Sequence, residues 1–430
     1  MKLNDKKVIR AWCTFDWANS VYSLVITSTI FPIYYSSVTT VNGSDIVNFF
    51  GLEIVNSVLY SYALSFSFLI IAAFLPLLTG IADYSGKKKT FMKVFTYIGG
   101  IACIALFFFD GPNVEFGIMA AVIASISYSG SLVFYNSFLP EIASYDQYDR
   151  ISARGFSYGY VGSVLLLILN LAMIQQPQWF GITTTVLATK ISFLLVGVWW
   201  VGFAQISFYY LPDNPYNKKS GSGYLFSGYR EIKKVWQSLK ALPTLKTFLV
   251  AFFFYNTGVQ TILYLAALFA DKELGMEGGE LILTVLIIQI VAILGSYLFA
   301  RISDFRGNKF SLIIMVIIWV FVCLTAYFVT HKNEFFILAA VVGMVMGGIQ
   351  ALSRATYSKL IPAQTTDHAS YFSFYDVTFN ISIVVGTFSY GLIEYITGSM
   401  RNSTLALGLF FIIGLGILAF IKIPRSSTSQ

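Results

Sequence analysis

Long runs of apolar residues, separated by short polar segments, recur along the whole chain. A helix that crosses a membrane needs about 20 mostly apolar residues, and the chain contains twelve runs of suitable length. They lie near residues 9–38, 54–80, 91–109, 114–139, 155–176, 187–211, 246–270, 280–302, 309–330, 335–360, 371–397 and 401–424. The pattern therefore predicts an all-α integral membrane protein with twelve transmembrane helices.

The polar loops between these runs contain an internal repeat. Asp83–Lys88 and Asp304–Lys309 each follow a long apolar run, and the two aspartates lie 221 positions apart (304 − 83). Tyr135–Pro140 is similar to Tyr357–Pro362 at an offset of 222 (362 − 140). Two features at nearly the same offset predict two related halves of six helices each, which is an architecture of secondary transporters.

One long hydrophilic segment separates the two halves. We predict a first six-helix bundle over residues 1–211, a linker over 212–245 and a second bundle over 246–430. The linker begins with Pro212 and Pro215, followed by Gly221–Gly223. Its later part, Tyr229–Leu242, has apolar residues at helical spacing with lysines between them. This spacing favours an amphipathic helix on the membrane surface over a simple solvated tether.

Composition and charge support a membrane location with a defined orientation. The chain is 57% hydrophobic and only 11% charged, and its formal net charge is +7. Of the 28 Lys and Arg residues, four are predicted on the side opposite the termini: Lys190, Lys272, Lys332 and Arg401. This bias predicts cytoplasmic termini and argues against nucleic acid as a partner. Short loops and tails favour a bacterial plasma membrane. We expect lipid as the surrounding partner and a monomer as the oligomeric state.

The sequence shows no constellation typical of an enzyme. Its three cysteines, Cys13, Cys103 and Cys323, fall within predicted spans, so neither a disulfide framework nor a metal site is expected. His331 and His368 lie in loops on opposite sides of the membrane, and no nucleophile–base arrangement is visible. No phosphate-binding loop of the Gly-x-x-x-x-Gly-Lys type is present. We therefore expect no enzyme, no cofactor and no self-contained ATP-driven pump.

The loop repeat resembles the signature of the major facilitator superfamily, G-x-x-x-D-x-x-G-[RK]-[RK]. The first copy departs from it at Thr79 and the second at Ala300, where the signature has glycine. The resemblance implies the twelve-helix major facilitator fold and a cytoplasmic gate that holds the two halves together. The matching gate candidates are Asp83, Gly86, Lys87, Lys88, Asp304, Gly307 and Lys309. Glycine permits a tight turn, and an aspartate can cap the start of a neighbouring helix.

Further segments resemble the vacuole-effluxer branch of that superfamily. They are Phe15–Ser20, Phe138–Glu141, Arg150–Phe156, Tyr255–Thr261 and Gly347–Arg354. The branch is named after a fungal autophagy-related vacuolar protein implicated in amino-acid export. The chain departs from this pattern at Thr257, where relatives often carry Asp, and at Phe379–Asn380, where they often carry Gly-Lys or Glu-Lys. Loss of both an acid and a base avoids a single buried charge without a partner.

Polar residues on the first span define a candidate transport face. Asp16, Asn19, Ser20 and Ser23 lie three or four residues apart and share one side of a helix. A carboxylate at the depth of Asp16 is costly unless it is paired or faces water. Two interpretations follow: Asp16 is a functional, proton-coupling acid, or it forms a fixed ion pair with Arg154 or Arg354.

The seventh span is the counterpart of the first and supplies Asn256 and Gln260, so we expect Asn19 and Asn256 to face each other across a cavity. Amides can satisfy the charges of a zwitterionic solute, although they also form helix-to-helix hydrogen bonds. Arg354 offers a planar group for a substrate carboxylate, and Asp376 is a second proton-coupling candidate or an acid stabilised by the start of its helix. The substrate-binding candidates are Asn19, Ser23, Tyr135, Tyr158, Asn256, Gln260, Gln350, Arg354 and Tyr375.

These observations predict a secondary transporter that moves a small polar solute by alternating access. An amino acid or peptide-like solute is the favoured class. Proton coupling is the favoured energy source, and another coupling ion is the alternative. Efflux of amphipathic cations by the same fold is an alternative, with Asp16 as its acidic residue. A membrane receptor without transport activity is a second alternative.

Overall fold

Twelve long helices dominate the computed structural model, which describes residues 3–214, 216, 218 and 224–422. Their sequence positions match the twelve apolar runs, so the predicted all-α fold is confirmed. The membrane spans, in order, are Lys6–Thr39, Asn56–Ser85, Lys88–Phe108, Val114–Ile142, Tyr145–Gln175, Thr185–Tyr210, Pro243–Leu274, Gly278–Arg306, Asn308–Phe328, Lys332–Leu360, His368–Thr397 and Met400–Phe420.

Several spans are composite. The first consists of an α-helix, Lys6–Val21, a π-helix, Tyr22–Thr29, and a second α-helix, Ile30–Thr39. Short helices extend or follow the third, fourth and fifth spans. They are Leu106–Phe108, Leu139–Ile142, Tyr145–Gln147 and Pro177–Phe180. Between the first two spans, strands Ile46–Phe49 and Leu52–Val55 form a small antiparallel hairpin.

An even number of spans places both described ends of the chain, Leu3 and Lys422, on the same side of the membrane, which we call the terminal side. The four cations predicted on the other side do lie there, and each contacts a carboxylate. The pairs are Lys190–Asp110, Lys272–Glu394, Lys332–Glu280 and Arg401–Glu273. The remaining described basic residues lie at the terminal side or within the spans near it, as the charge pattern predicts.

The linker contains a helix, Tyr224–Ala241, which starts five residues before the predicted one. Val235 and Leu239 are buried, whereas Trp236 is 54% exposed and lies 5.7 Å from the ring of Phe374. The helix packs against the second span and touches the eleventh, so it bridges the two halves at the terminal side. Gly221–Gly223 and Pro215 lie outside the described residues.

Two lysines of the linker converge on Asp367, just before the eleventh span. Lys218 and Lys234 approach opposite oxygens of this carboxylate, at 3.0 and 2.9 Å. Burial of Asp367 raises its pKa, but the hydrogen bond from Lys234 and the charge of Lys218 outweigh burial, so the pKa lies below the usual value. The linker is thereby tied to the second half.

The ion pairs that Asp367 forms with Lys218 and Lys234 are expected to weaken only in acidic solution. The pKa of Asp367 is lower in the folded protein than in the unfolded chain. The ionised carboxylate therefore contributes its full stabilising effect above the unfolded pKa of about 3.9, and this effect is lost as pH falls through the folded pKa. The protection factor of the linker helix, which is the ratio of the intrinsic to the observed hydrogen-exchange rate at each pH, should be constant from neutral pH to about pH 5 and fall in more acidic solution. The Asp367→Asn variant should have a low protection factor throughout; an acid-dependent change of the protection factor that persists in that variant would contradict the assignment.

Candidate transport site

A central cavity of about 240 Å³ lies between the two halves. Spans from both halves contribute its walls, and most of the lining side chains carry a hydroxyl, amide or charged group. The polar lining residues are Asp16, Ser20, Tyr22, Ser23, Thr27, Ser28, Ser125, Tyr128, Ser129, Asn136, Tyr160, Ser163, Tyr255, Asn256, Gln260, Tyr264, Gln289, Gln350, Ser353, Arg354, Tyr375, Asp376 and Asn380. The cavity thus offers many hydrogen bonds in a membrane interior where water is scarce.

The first span lines the cavity with the end of its α-helix and with the π-helix that follows. A π-helix is wider than an α-helix and leaves carbonyl groups with altered partners. Here Ser28 donates to the Ser23 carbonyl oxygen (2.9 Å) and Thr29 to that of Leu24 (2.6 Å), each across five residues. Hydroxyl side chains thus satisfy the carbonyl groups of the widened turn. The π-helix brings Ser23 and Thr27 to the cavity wall.

Asn19 departs from the predicted face. Asp16, Ser20 and Ser23 line the cavity, but Asn19 is buried in the helix packing beside it. The expectation that Asn19 and Asn256 face each other across the cavity is therefore not met. Asn256 does line the cavity; it donates to Ser382 (2.6 Å) and accepts from Gln260 (3.2 Å). The structure thus places one of the two matched asparagines in the lining.

Asp16 and Arg354 form an ion pair between the halves beside the cavity. Asp16 is 4% exposed and Arg354 is 2% exposed. Both terminal nitrogens of the guanidinium lie 3.3 Å from Asp16 Oδ2, and the Tyr135 hydroxyl donates to the same oxygen at 2.6 Å. Trp12 and Phe156 lie 4.7 and 4.2 Å from the guanidinium carbon. Of the two interpretations for Asp16, the ion pair with Arg354 is the arrangement observed.

Two tyrosine candidates lie outside the cavity lining. Tyr135 is fully buried behind Asp16, which it orients through its hydroxyl. Tyr158 accepts a hydrogen bond from Arg154 (3.4 Å) and turns away from the cavity, whereas Tyr160, two residues later, lines it and donates to Gln350 at 2.7 Å. Helical geometry explains the difference, because residues two apart point about 200° away from each other.

The other candidates reach the cavity wall. Ser23, Gln260, Gln350 and Tyr375 are all among the lining residues. Asp376 lines it too, eight residues beyond the start of its helix at His368. The helix dipole acts mainly within the first turn, so it does not account for this acid. The sequence-based reading overlooked Asn136 and Gln289; Gln289 is an isolated amide within an apolar run, a recognisable signal for a cavity residue.

The two positions that depart from the family pattern have different surroundings. Thr257 is fully buried and donates to the Phe253 carbonyl oxygen (2.7 Å) within its own helix. Asn380 lines the cavity and donates to the Asp376 carbonyl oxygen (2.6 Å). Of Thr257 and Asn380, only Asn380 lines the cavity.

The halves are joined on the terminal side of the cavity. Asp83, at the end of the second span, accepts hydrogen bonds from the backbone N–H groups of Ala369 (3.3 Å) and Ser370 (2.6 Å), at the start of the eleventh span. Its repeat counterpart Asp304 instead pairs with Arg150, at 3.0 Å. Gly86 and Gly307 have φ of +68° and +86°, which glycine adopts without strain. Both aspartates thus contact the opposite half.

The three lysine gate candidates do not cross between the halves. Lys88 pairs with Glu141 (2.6 Å) in the first half, Lys309 donates to the Ala419 carbonyl oxygen (2.7 Å) in the second, and Lys87 is exposed. A contact absent from the sequence-based list does cross. Asp149 of the fifth span accepts from Lys359 (2.6 Å), Asn308 (2.7 Å) and Ser303 (3.0 Å) of the second half.

The two repeat aspartates give a matched test of the gate. Asp83→Ala should lower the free energy of unfolding by about 1–3 kcal/mol, because a buried acceptor for two backbone N–H groups is lost. Asp304→Ala should cost about 0–1 kcal/mol, since Arg150 is well exposed to solvent. Unfolding in mixed micelles measures both values. Equal losses for the two variants would contradict the structural distinction.

Known proteins match the chain over nearly its full length. The family model described as "Vacuole effluxer Atg22 like" matches residues 4–430. An uncharacterised MFS-type transporter of Bacillus subtilis (strain 168), YxiO, is 30% identical over 420 residues, which cover 97% of this chain and 95% of YxiO. Autophagy-related protein 22-1 of Penicillium rubens is 24% identical, covering 92% and 80% of the two chains.

Solved transporter structures share the fold. The proton:xylose symporter XylE has a TM-score of 0.72 at 13% identity and covers 97% of this chain and 96% of XylE. The transporter FucP in its outward conformation has a TM-score of 0.69 at 14% identity, covering 96% and 98%. These likenesses confirm the major facilitator fold. With the family match across residues 4–430, they show that this chain is a multi-pass membrane transporter of the major facilitator type and belongs to the Atg22-like vacuole-effluxer family.

Proposed function

We propose that this transporter moves a small polar solute, of the amino-acid or peptide-like class, by alternating access and with proton coupling. The observation that carries the proposal is a cavity shared by both halves and lined by hydroxyl and amide groups. Such groups satisfy a polar or zwitterionic solute without imposing a fixed net charge. We further propose that the terminal side is cytoplasmic, in a bacterial plasma membrane, on the basis of its many cations.

Within this proposal each group of residues has a role. Ser23, Asn256, Gln260, Gln350 and Tyr375 contact the solute from both halves. The Asp16–Arg354 pair joins the halves at the edge of the cavity. Asp83 and Asp149 hold the terminal side closed while the solute is bound from the other side. Asp376 carries the coupling proton.

Ligand-dependent thermal stability of the purified full chain tests this proposal. A solute that binds only the folded protein stabilises it, by about 2.7 kcal/mol at a concentration 100 times its Kd. The panel comprises amino acids, dipeptides, sugars, nucleosides and amphipathic cations. We expect a hit among amino acids or dipeptides that is lost in Asn256→Ala and kept in Asn19→Ala, which alters the matched asparagine outside the cavity lining.

Two results would redirect the proposal. Stabilisation by amphipathic cations alone would favour drug efflux by the same fold. Stabilisation that is lost equally in Asn19→Ala and Asn256→Ala would indicate that the solute does not bind at the described cavity lining.

A further inference from the structure

The cavity contains two acids and one arginine among its lining residues, and these three charges are not equivalent. Arg354 has five N–H donors, and its nitrogens make five hydrogen bonds. The acceptors are Asp16 Oδ2 twice, Asn136 Oδ1, Ser152 Oγ and the Ser152 carbonyl oxygen. Arg354 is therefore saturated and neutralises Asp16. A substrate carboxylate would have to displace these partners to reach it.

Asp376 is the third of these charged residues, and the Asp16–Arg354 pair does not neutralise it. It is 5% exposed, lines the cavity, and its Oδ2 has no hydrogen-bond partner although it is buried. A lone carboxylate inside a membrane protein is costly unless something neutralises it. Because the Asp16–Arg354 pair is complete, the neutralising group has to come from outside the protein. A proton and the cationic group of a solute are the two candidates.

In the part of the chain that the structure describes, no second fixed cation contacts Asp376. Asn136 of the fourth span faces it, Arg354 and Tyr357 approach from the tenth, and Tyr375 precedes it on its own helix. Tyr255 of the seventh span lies near Tyr375. Among the described residues, the charged side chains of the other neighbouring elements have partners away from Asp376. Asp83 and Lys234 bind at the start of the eleventh span, and Arg401 pairs with Glu273 near the other membrane surface.

The walls near Asp376 suit an ammonium group. Tyr375 stacks on Phe252 at 4.3 Å between ring centroids, and both residues line the cavity together with Phe379. Aromatic faces attract cations where water is excluded. The amides of Asn136 and Asn380 flank the same region. The Asn136 oxygen already accepts from Arg354, so the Asn380 oxygen is the one that can accept a remaining ammonium hydrogen. The region therefore combines an unpaired carboxylate with aromatic and amide groups.

We propose that a solute ammonium group and a proton occupy Asp376 in turn, so that the protein exchanges an ammonium-bearing solute for a proton. The inference rests on the proposed transport function and specifies its substrate class and coupling. In the exchange, the Asp376 O–H bond breaks and the proton leaves to water. The carboxylate then pairs with the intact ammonium group. One positive charge replaces another, so the buried site stays neutral throughout.

Proton release upon binding tests this exchange directly. The probes are 2-phenylethylammonium and methylammonium, with 3-phenylpropanoate as the carboxylate counterpart, added to the purified full chain in weak buffer with a pH indicator. We expect each bound ammonium to release up to about one proton. The apparent Kd should rise about tenfold per pH unit on the acid side, where the carboxyl is protonated. The carboxylate probe should release none.

Variants then assign the effect to Asp376. Asp376→Asn should bind the ammonium probes at least tenfold more weakly and release no proton, whereas Asp376→Glu should retain proton release. Asp271→Asn, which alters an exposed acid at the end of the seventh span, should behave as the unaltered protein. If the asparagine variant does not fold, proton release by the unaltered protein and by Asp376→Glu still decides the question.

Several results would overturn the inference. They are the absence of ammonium binding, ammonium binding without proton release, a pH-independent Kd, or unchanged binding in Asp376→Asn. Transport of a sugar or a carboxylate with no ammonium binding would overturn this inference and leave the transport function intact. Absence of binding and exchange for every small polar solute would instead refute the proposed function itself.

Discussion

Arg354→Met is expected to lower the free energy of unfolding by about 3–5 kcal/mol, because it leaves Asp16 charged, buried and without its partner. The pair lies within a hydrogen-bonded group that includes Tyr135 and Ser152, so its geometry is fixed by both halves. Equilibrium unfolding in mixed micelles measures the effect. Methionine keeps much of the side-chain volume, so the loss reports on charge more than on packing.

A second variant separates the ion pair from general damage. Asp16→Asn combined with Arg354→Met removes both charges and should recover a large part of the lost stability. Arg301→Met, which alters an exposed arginine of the eighth span, should change stability by less than about 0.5 kcal/mol. A double variant that is as unstable as the sum of the two single variants would show that the two residues do not act as a pair.

Lys359→Met is expected to open the terminal side. Lys359 and Asp149 are both almost fully buried where the halves meet, and their pair exists only while that side is closed. Without Lys359 the closed state contains an uncompensated acid, whereas opening exposes Asp149 to water. The closed state should lose about 2–3 kcal/mol relative to the open state, a shift of up to about a hundredfold in their ratio.

Distances between spin labels at Lys87→Cys and Phe305→Cys measure this shift. Both positions are exposed on the terminal side, in different halves, and the native cysteines are buried. The control is Lys309→Met, since Lys309 donates within its own half. We expect a longer distance to become populated in Lys359→Met and not in Lys309→Met. An identical distance distribution in both variants would contradict a gate at Asp149–Lys359.

The spans were predictable because the membrane imposes a strong rule on the sequence. Every apolar run of sufficient length became a helix, and the repeat of Asp83–Lys88 and Asp304–Lys309 indicated the paired halves. The same repeat misdirected the assignment of gate lysines. Both copies share residue types, but Lys88 meets Glu141 in its own half, a partner that a repeat comparison does not identify.

The cavity lining was less predictable, because it depends on rotation about each helix. Within the regular helix Lys6–Val21, Asn19 lies about 60° to one side of Asp16 and Ser20 about 40° to the other side, and the cavity lies on the Ser20 side. The π-helix from Tyr22 then brings Ser23 and Thr27 to the cavity wall. No hydrophobic pattern marks a π-helix. The hydroxyls of Ser28 and Thr29 are its only local signal, and such residues are also common in ordinary membrane helices.

The contact of Asp149 with Lys359 was missed for a different reason. Both residues lie at the ends of spans, where charged side chains usually face solvent. Their burial arises only when the fifth, eighth, ninth and tenth spans meet, which brings Ser303 and Asn308 to the same carboxylate. A contact between residues 210 positions apart (359 − 149) requires the packed structure.

Counterflow in proteoliposomes tests the central claim most directly, since it requires a solute to pass alternately through both sides of the cavity. Vesicles that contain the protein are loaded with unlabelled solute and diluted into a trace of the labelled form. For an amino acid or dipeptide that stabilises the protein, we predict transient accumulation of label in the vesicles, absent from empty vesicles and strongly reduced by Asn256→Ala. No accumulation above empty vesicles for any small polar solute would contradict the account.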